Sequence, residues 1–293
     1  MKKNCVNNFG GLSSEFSKFQ GADFVIIPVP FEKTTTYLQG TKNAPNAIIK
    51  ASMNIELYDE EIERTPAEFG IATLAAINSN KTATVVLKAV KKCVEFVLKQ
   101  NKIPILIGGE HTISLGSFLA LKKKYKKISF LQLDAHADLR DSYNNEKYSH
   151  ACVVKRIREY NADVVQVGIR SLSKEEAELI RNNKLKIFFA KDIIDKDISK
   201  EIIKSIEEKN VYVSIDADVF DPSIIYSVGT PEPGGLGWYQ TLNIIKQIAK
   251  EKNIVGFDFV EFCPLGNLEA FSFISAKFIY KIIGYIGIFK NVQ

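Results

Sequence analysis

Apolar residues gather in runs of strand length at residues 24–29, 103–107, 128–133, 164–169, 185–189, 211–215 and 254–259. Most are rich in Val, Ile, Leu and Phe without the alternation of a half-solvated strand, which is the pattern of strands buried on both faces. Between them the spacing becomes helical, most clearly at residues 81–100, where Val86, Val90, Cys93 and Val97 fall on one stripe. Strand and helix alternate, which predicts an α/β fold with a mainly parallel central sheet and helices on both faces. No Pro/Gly/Ser-rich linker, low-complexity tract or internal repeat divides residues 1–293, so a single domain is expected. Residues 271–289 imitate a membrane span, but Lys277 and Lys281 interrupt them. A charge near the centre of a bilayer is costly, so the expectation is a largely buried C-terminal helix.

The chain has 293 residues, 46% of them hydrophobic, enough for a substantial core. Its 39 basic and 34 acidic residues leave a net charge of +5, with lysines scattered through helix-like stretches such as residues 121–127. That is the pattern of solvated helix faces, and without a nucleic-acid-binding motif beside it no nucleic-acid partner is expected. Cys5, Cys93, Cys152 and Cys263 are widely spaced and form no C-x-x-C, which suggests neither a disulfide framework nor a zinc ribbon. The first residues include two lysines but no apolar stretch after them, unlike a secretory signal, so a cytoplasmic protein off the membrane is expected.

In parallel α/β sheets ligands bind beyond the carboxyl ends of the strands, and four of the runs end in polar clusters. GGEHT with His111 follows residues 103–107, and DAHAD with Asp134, His136 and Asp138 follows residues 128–133. DADVFDP with Asp216 and Asp218 follows residues 211–215, and VEFCP with Glu261 follows residues 254–259. In an extended segment alternate side chains share a face, which would let Asp134, His136 and Asp138 reach one centre. Four converging carboxylates would repel one another or take up protons, so cations are expected among them. Four aspartates and two histidines supply ligands for two divalent ions. Oxygen-rich ligation with imidazole and no thiolate favours Mn2+, with Fe2+, Co2+ or Zn2+ as alternatives. Two close metals activate a shared water, so the reaction class is metal-assisted hydrolysis. Taken singly, each aspartate would be a turn or cap and each histidine a satisfied polar side chain. The combined D-x-H-x-D and D-x-D spacing is what points to metal. His150, beyond the polar loop at residues 140–149, is available as a general acid or proton shuttle, or is a surface-loop histidine. Glu261 is available to hold a cationic substrate, or is a solvated strand-end acid.

With these residues assembled, the sequence resembles the arginase/agmatinase (ureohydrolase) family, whose members hydrolyse a guanidino group to release urea. The resemblance runs from PVPFEKTTTYLQGTKNAPNAI through GGEHT, DAHADL, SHA, SIDADVFDP and GTPEPGGL to EFCP. It implies a three-layer αβα arginase-like fold and a pair of Mn2+ ions. His111, Asp134, Asp138 and Asp216 would surround one ion and His136, Asp134, Asp216 and Asp218 the other, with Asp134 and Asp216 bridging. It further implies that Asp138 orients the attacking water and passes its proton to the leaving amine. By the same resemblance His150 is the catalytic acid or shuttle, Glu261 the partner of the guanidinium, and the assembly a homo-oligomer, either a trimer or a hexamer.

The departures from the family pattern are specific. Glu110 and Thr112 stand where the family commonly shows Asp and Ser, and Lys42 where an arginine is usual. Glu232, in the loop at residues 229–236, is open to a structural as much as a functional role. Arginases commonly place an asparagine where this chain has Arg140. DAHADLRD and SHACV look more like agmatinases, which implies cleavage of agmatine to putrescine and urea. The other readings are a further guanidino hydrolase such as arginase or guanidinobutyrase, a catalytically inactive metal-binding regulatory homologue, and a metal-dependent deacetylase on a related fold.

Overall fold

The computed structural model describes residues 7–160, 162–194, 196–266 and 269–290, so Cys5 and the first lysines lie outside the described residues. Strands form at β1 (Phe24–Val29), β2 (Ile71–Thr73), β3 (Ile103–Gly108), β4 (Ser129–Leu133), β5 (Asp163–Ile169), β6 (Lys186–Phe189), β7 (Asn210–Asp216) and β8 (Asn253–Val260). All but β2 coincide with the apolar runs. At three residues β2 is too short for a run to announce it, and it pairs beside β1 at the sheet edge.

The order across the sheet is β2-β1-β3-β8-β7-β4-β5-β6, and every pairing is parallel. Successive side chains point to opposite faces. Phe24 and Ile26 of β1 therefore join one apolar cluster, while Val25, Ile27 and Val29 join the other. The first cluster takes in the helices Ala44–Ser52, Trp238–Glu251 and Glu269–Phe289, and the second takes in Ala83–Lys99 and Ile113–Lys124. These are the three layers of an αβα sandwich.

On Ala83–Lys99 the buried stripe is Val86, Val90, Val94 and Val97, flanked by Leu87 and Leu98, whereas Cys93 is only half-buried. At 3.6 residues per turn Cys93 falls on the edge of that stripe, and Val94 takes the place given to it from sequence. The helix Glu269–Phe289 is long and apolar enough to cross a membrane by length and composition, yet most of it is buried inside the fold. Its Lys281 is 2% exposed and sits 2.9 Å from the fully buried Asp59, with Glu60 at 3.3 Å and Glu61 at 3.6 Å. Cys93, Cys152 and Cys263 are free thiols.

The topology places the chemistry. β3, β8, β7 and β4, whose ends carry the four polar clusters, are contiguous and parallel, so their carboxyl ends open side by side. GGEHT turns off β3 against the loop after β1, with Gly109 N–H donating to Val29 O (3.0 Å) and Glu110 N–H to Phe31 O (2.9 Å). Only glycine allows that approach, since a Cβ on Gly109 would overlap the Phe31 backbone.

Candidate metal centre

His111 leaves β3 buried, with Nδ1 3.1 Å from Asp134 Oδ2, 3.1 Å from Asp138 Oδ2 and 3.3 Å from Asp216 Oδ2. On the other side of Asp134, His136 Nδ1 is 2.9 Å from Asp218 Oδ2 and 3.7 Å from Asp134 Oδ1. Five of the six residues singled out from sequence therefore meet in two groups: His111, Asp134 and Asp216, and Asp134, His136 and Asp218. Asp134 is common to both. Asp138 adjoins the first group through His111, and Asp216 belongs to that group alone, whereas the family pattern gave it to both.

The way DAHAD converges differs from the extended segment expected. Asp134 N–H still pairs with Val167 O of β5 (3.0 Å), but Asp138 has φ 52°, so the segment curls instead of continuing. The curl, not strand alternation, delivers Asp138 to His111. Glu261 has φ 57°, and non-glycine residues in this left-handed region cost about 1–3 kcal/mol each, a strain that gathers at functional sites. Backbone donors brace the acids: Ala135 N–H donates to Asp218 Oδ1 (3.0 Å) and Asp218 N–H to Asp216 Oδ1 (2.9 Å).

The donor set fits divalent ions. His111 Nδ1 is buried with no hydrogen-bond partner although three carboxylate oxygens surround it. Its other nitrogen explains why. Ser214 Oγ donates to Asp258 Oδ1 (2.7 Å), so its oxygen accepts from His111 Nε2–H (2.8 Å), which reserves Nδ1 as the nitrogen a metal ion would take in place of a proton. Tyr212 secures the other oxygen of Asp258. Gln166 Nε2 donates to Gln132 Oε1 (2.5 Å), and Gln132 Nε2 donates to Asp134 Oδ2 (2.6 Å). A cation among these oxygens would satisfy His111 Nδ1 and the charge together.

Electrostatics tell the same story. Burial and then the Asp134 charge push the Asp138 carboxyl up to about 7. Burial, Asp218 and Asp134 push Asp216 well above the carboxylate range. For Asp134, burial acts upward but the imidazoles of His111 and His136 outweigh it and hold the group low. Burial acts downward on both imidazoles, yet the surrounding aspartates raise them well above their ordinary value. Without a metal ion, protons held by the two imidazoles and by Asp138 and Asp216 compensate the crowded carboxylates.

Beside the cluster lies a cavity of about 240 Å³, whose lining includes Thr36, Leu38, Arg140, Tyr143, His150 and Glu176. His150 is half-buried, with Nδ1 3.1 Å from Thr34 Oγ1 and Nε2 3.0 Å from Thr36 Oγ1. Burial, then the neighbouring imidazoles of His136 and His111, lower it to about 4. Glu261 also lines the cavity; its Oε1 accepts His111 N–H (2.6 Å), and burial followed by Glu110 raises the group well above its usual range. Arg140 Nε stands 3.9 Å from Glu176 Oε2, with its guanidinium over the Tyr143 ring. Arg156, buried, holds the loop carrying Arg140 through Asp141 (2.5 Å).

Residues open in the sequence also find their places. Lys42 pairs with Glu32 at 3.0 Å, and Glu32 Oε1 accepts Thr41 N–H (2.8 Å), closing the loop that carries Thr34 and Thr36. Glu232 Oε1 is 3.8 Å from His136 Nε2. Its loop is pinned by Arg170, whose Nη2 donates to Asp218 O (2.6 Å) and Glu232 O (2.8 Å). Sequence reasoning missed Gln132, Gln166, Ser214 and Asp258. The signal was a polar residue inside an apolar strand, which burial tolerates only with partners.

A model of the Arginase family matches residues 22–284. The N(1)-aminopropylagmatine ureohydrolase of a Synechocystis species is 35% identical over 283 residues, 94% of this chain and 92% of that protein. The agmatinase of Pyrococcus horikoshii is 34% identical over 267 residues, 90% of this chain and 92% of that protein. Among solved structures, the agmatine ureohydrolase of Thermoplasma volcanium superimposes with a TM-score of 0.88 at 31% identity, covering 98% of this chain and 97% of that one.

Proposed function

From the premise that the chain belongs to the arginase family, hydrolases of amidine C–N bonds, we propose that it is a binuclear Mn2+ enzyme cleaving agmatine to putrescine and urea. The observation that carries the metal reading is the pair of His/Asp groups sharing Asp134, with the buried Nδ1 of His111 facing three carboxylate oxygens and making no hydrogen bond. His111, Asp134, Asp138 and Asp216 would hold one ion and Asp134, His136, Asp216 and Asp218 the other. When bound, the metals supply a water nucleophile at neutral pH and stabilise developing negative charge.

This chain's residues do the rest. Glu261 would pair with the cationic guanidinium, whose arrival restores the ionised form that burial disfavours. Asp138, by the family likeness, would accept a proton from the attacking water and return it to the leaving amine. His150 rests neutral beside the cavity and would carry protons to and from solvent. Arg140 lines the cavity where arginases commonly place the asparagine that helps recognise the amino-acid end of arginine, which supports a substrate other than arginine. A second substrate, N(1)-aminopropylagmatine, is supported by the names of the Synechocystis and Thermococcus kodakarensis relatives, the latter 37% identical over 277 residues. By the same family likeness the enzyme is a single-domain cytoplasmic protein of polyamine biosynthesis that assembles as a trimer or hexamer.

The test is urea release from agmatine, N(1)-aminopropylagmatine, arginine and 4-guanidinobutyrate after Mn2+ loading. Agmatine is expected to be the preferred substrate. Preference for arginine, or no urea from any of them, would defeat the agmatine reading.

A further inference from the structure

Glu110 is fully buried, and its carboxylate accepts four hydrogen bonds. Oε2 receives Lys33 N–H (2.5 Å) and Thr34 N–H (2.7 Å), and Oε1 receives the hydroxyls of Thr34 (2.8 Å) and Thr112 (2.7 Å). A carboxylate offers about four lone-pair sites, so these donors saturate it as an acceptor. The Thr34 hydroxyl has one proton, and it is committed to Glu110. Thr34 Oγ1 can therefore only accept from the two His150 groups facing it, the backbone N–H and Nδ1, both at 3.1 Å. Ser149 Oγ also faces Nδ1 at 3.2 Å and can accept or donate, so it is the Thr34 oxygen, left without a proton to give, that favours the proton on Nδ1. Nε2 is then the lone-pair nitrogen, and the Thr36 hydroxyl 3.0 Å away can turn to donate to it.

We propose that Glu110 is a positioning residue for the hydrolytic reaction: acting through Thr34, it locks His150 in the Nδ1–H form, so that Nε2 alone exchanges protons with the cavity. Each geometric element has one task. Glu110 sits beside His111 on the GGEHT turn, so the segment that places one imidazole in the acid cluster also sets the tautomer of the other. The longer side chain where the family commonly shows Asp reaches the backbone of residues 33 and 34 and the Thr34 hydroxyl together. The loop cannot drift, because Glu32 closes its far end on Gly40 and Thr41. A histidine that shuttles protons from one defined nitrogen needs no ring flip or tautomer exchange in each cycle.

The role in turnover rests on the hydrolase reading above, but the tautomer does not, and the experiment separates them. Long-range nitrogen-15 spectra of the full chain loaded with diamagnetic Zn2+, with His150→Gln to assign the signal, should show His150 protonated at Nδ1 and bare at Nε2 near pH 8. Thr34→Val should abolish that preference and lower kcat about tenfold or more, with KM and metal content unchanged; Thr34→Ser, which keeps the hydroxyl, should restore both. Failure of every guanidino compound to yield urea would sink the substrate reading and leave the spectrum to decide this one. An Nε2–H tautomer in the wild type would overturn the proposal. So would a Thr34→Val enzyme with undiminished kcat, or one whose activity falls only in step with its metal content.

Discussion

Two regions of the molecule bury charge, and they do so differently. Along the helix Glu269–Phe289, Lys281 lies against the fully buried Asp59, with two more acids within 3.6 Å, so one ammonium meets its own counter-charge inside the chain. At the ends of β4 and β7, four aspartates surround two imidazoles, and the chain provides no fixed cation of its own within the six-residue cluster. The first region is finished by folding. The second keeps raised carboxyls and a buried imidazole nitrogen without a hydrogen-bond partner, and so remains an acceptor for something from outside. A functional site is here the place where internal compensation stops short.

Removing the shared acid should break the second region most severely. Asp134→Asn should lower urea release by more than about a hundredfold and deplete both metal positions, measured by elemental analysis alongside steady-state kinetics. In the first region Lys281→Met should leave Asp59 buried and unpaired and cost about 3–5 kcal/mol in denaturant unfolding. Replacing Asp59 by Leu as well should recover much of that, since two apolar groups need no compensation. Metal content of the folded protein should stay at the wild-type value in both. A smaller effect is expected at the support of the site: Ser214→Ala removes the acceptor that fixes the His111 tautomer and should weaken metal binding about tenfold.

The acid cluster should also respond to pH. Asp138 is raised in the metal-free fold to about 7, against about 3.9 in an unfolded chain. Its contribution to metal-free stability is therefore fully present below about pH 4 and lost as pH rises through about 7. Metal must displace that proton together with those on Asp216 and the two raised imidazoles, so apparent affinity should rise by at least about tenfold per pH unit through pH 7. Titration calorimetry at several pH values checks it; a flat profile from pH 5 to 8 would show that Asp138 is already ionised.

Much of this was legible in the sequence. Apolar runs marked the longer strands because strands covered on both faces cannot hide their composition. The parallel sense of the sheet followed from helices between them, and the ligand residues from acids and histidines placed just past four strand ends. The order in which β3, β8, β7 and β4 lie side by side was not legible, since nothing local records a neighbour distant in sequence. Nor was the curl at Asp138: a left-handed backbone at an aspartate leaves no periodic trace. The supports Ser214, Asp258, Gln132 and Gln166 did show as polar intrusions in apolar strands, but their partners became visible only once strands from separate parts of the chain were packed together. Glu110 carried its message only as a departure from the family pattern, and its four donors come from two separate segments.

The central claim is that two ions, sharing Asp134, complete the acid cluster. The direct measurement is elemental analysis of the wild-type chain after equilibration with Mn2+ at pH 8 and removal of free metal, with His136→Ala in parallel. The account predicts two Mn2+ per wild-type chain and about one in the variant, because His136 serves only the second group. A wild type holding one ion or none, or a variant that still holds two, would contradict it.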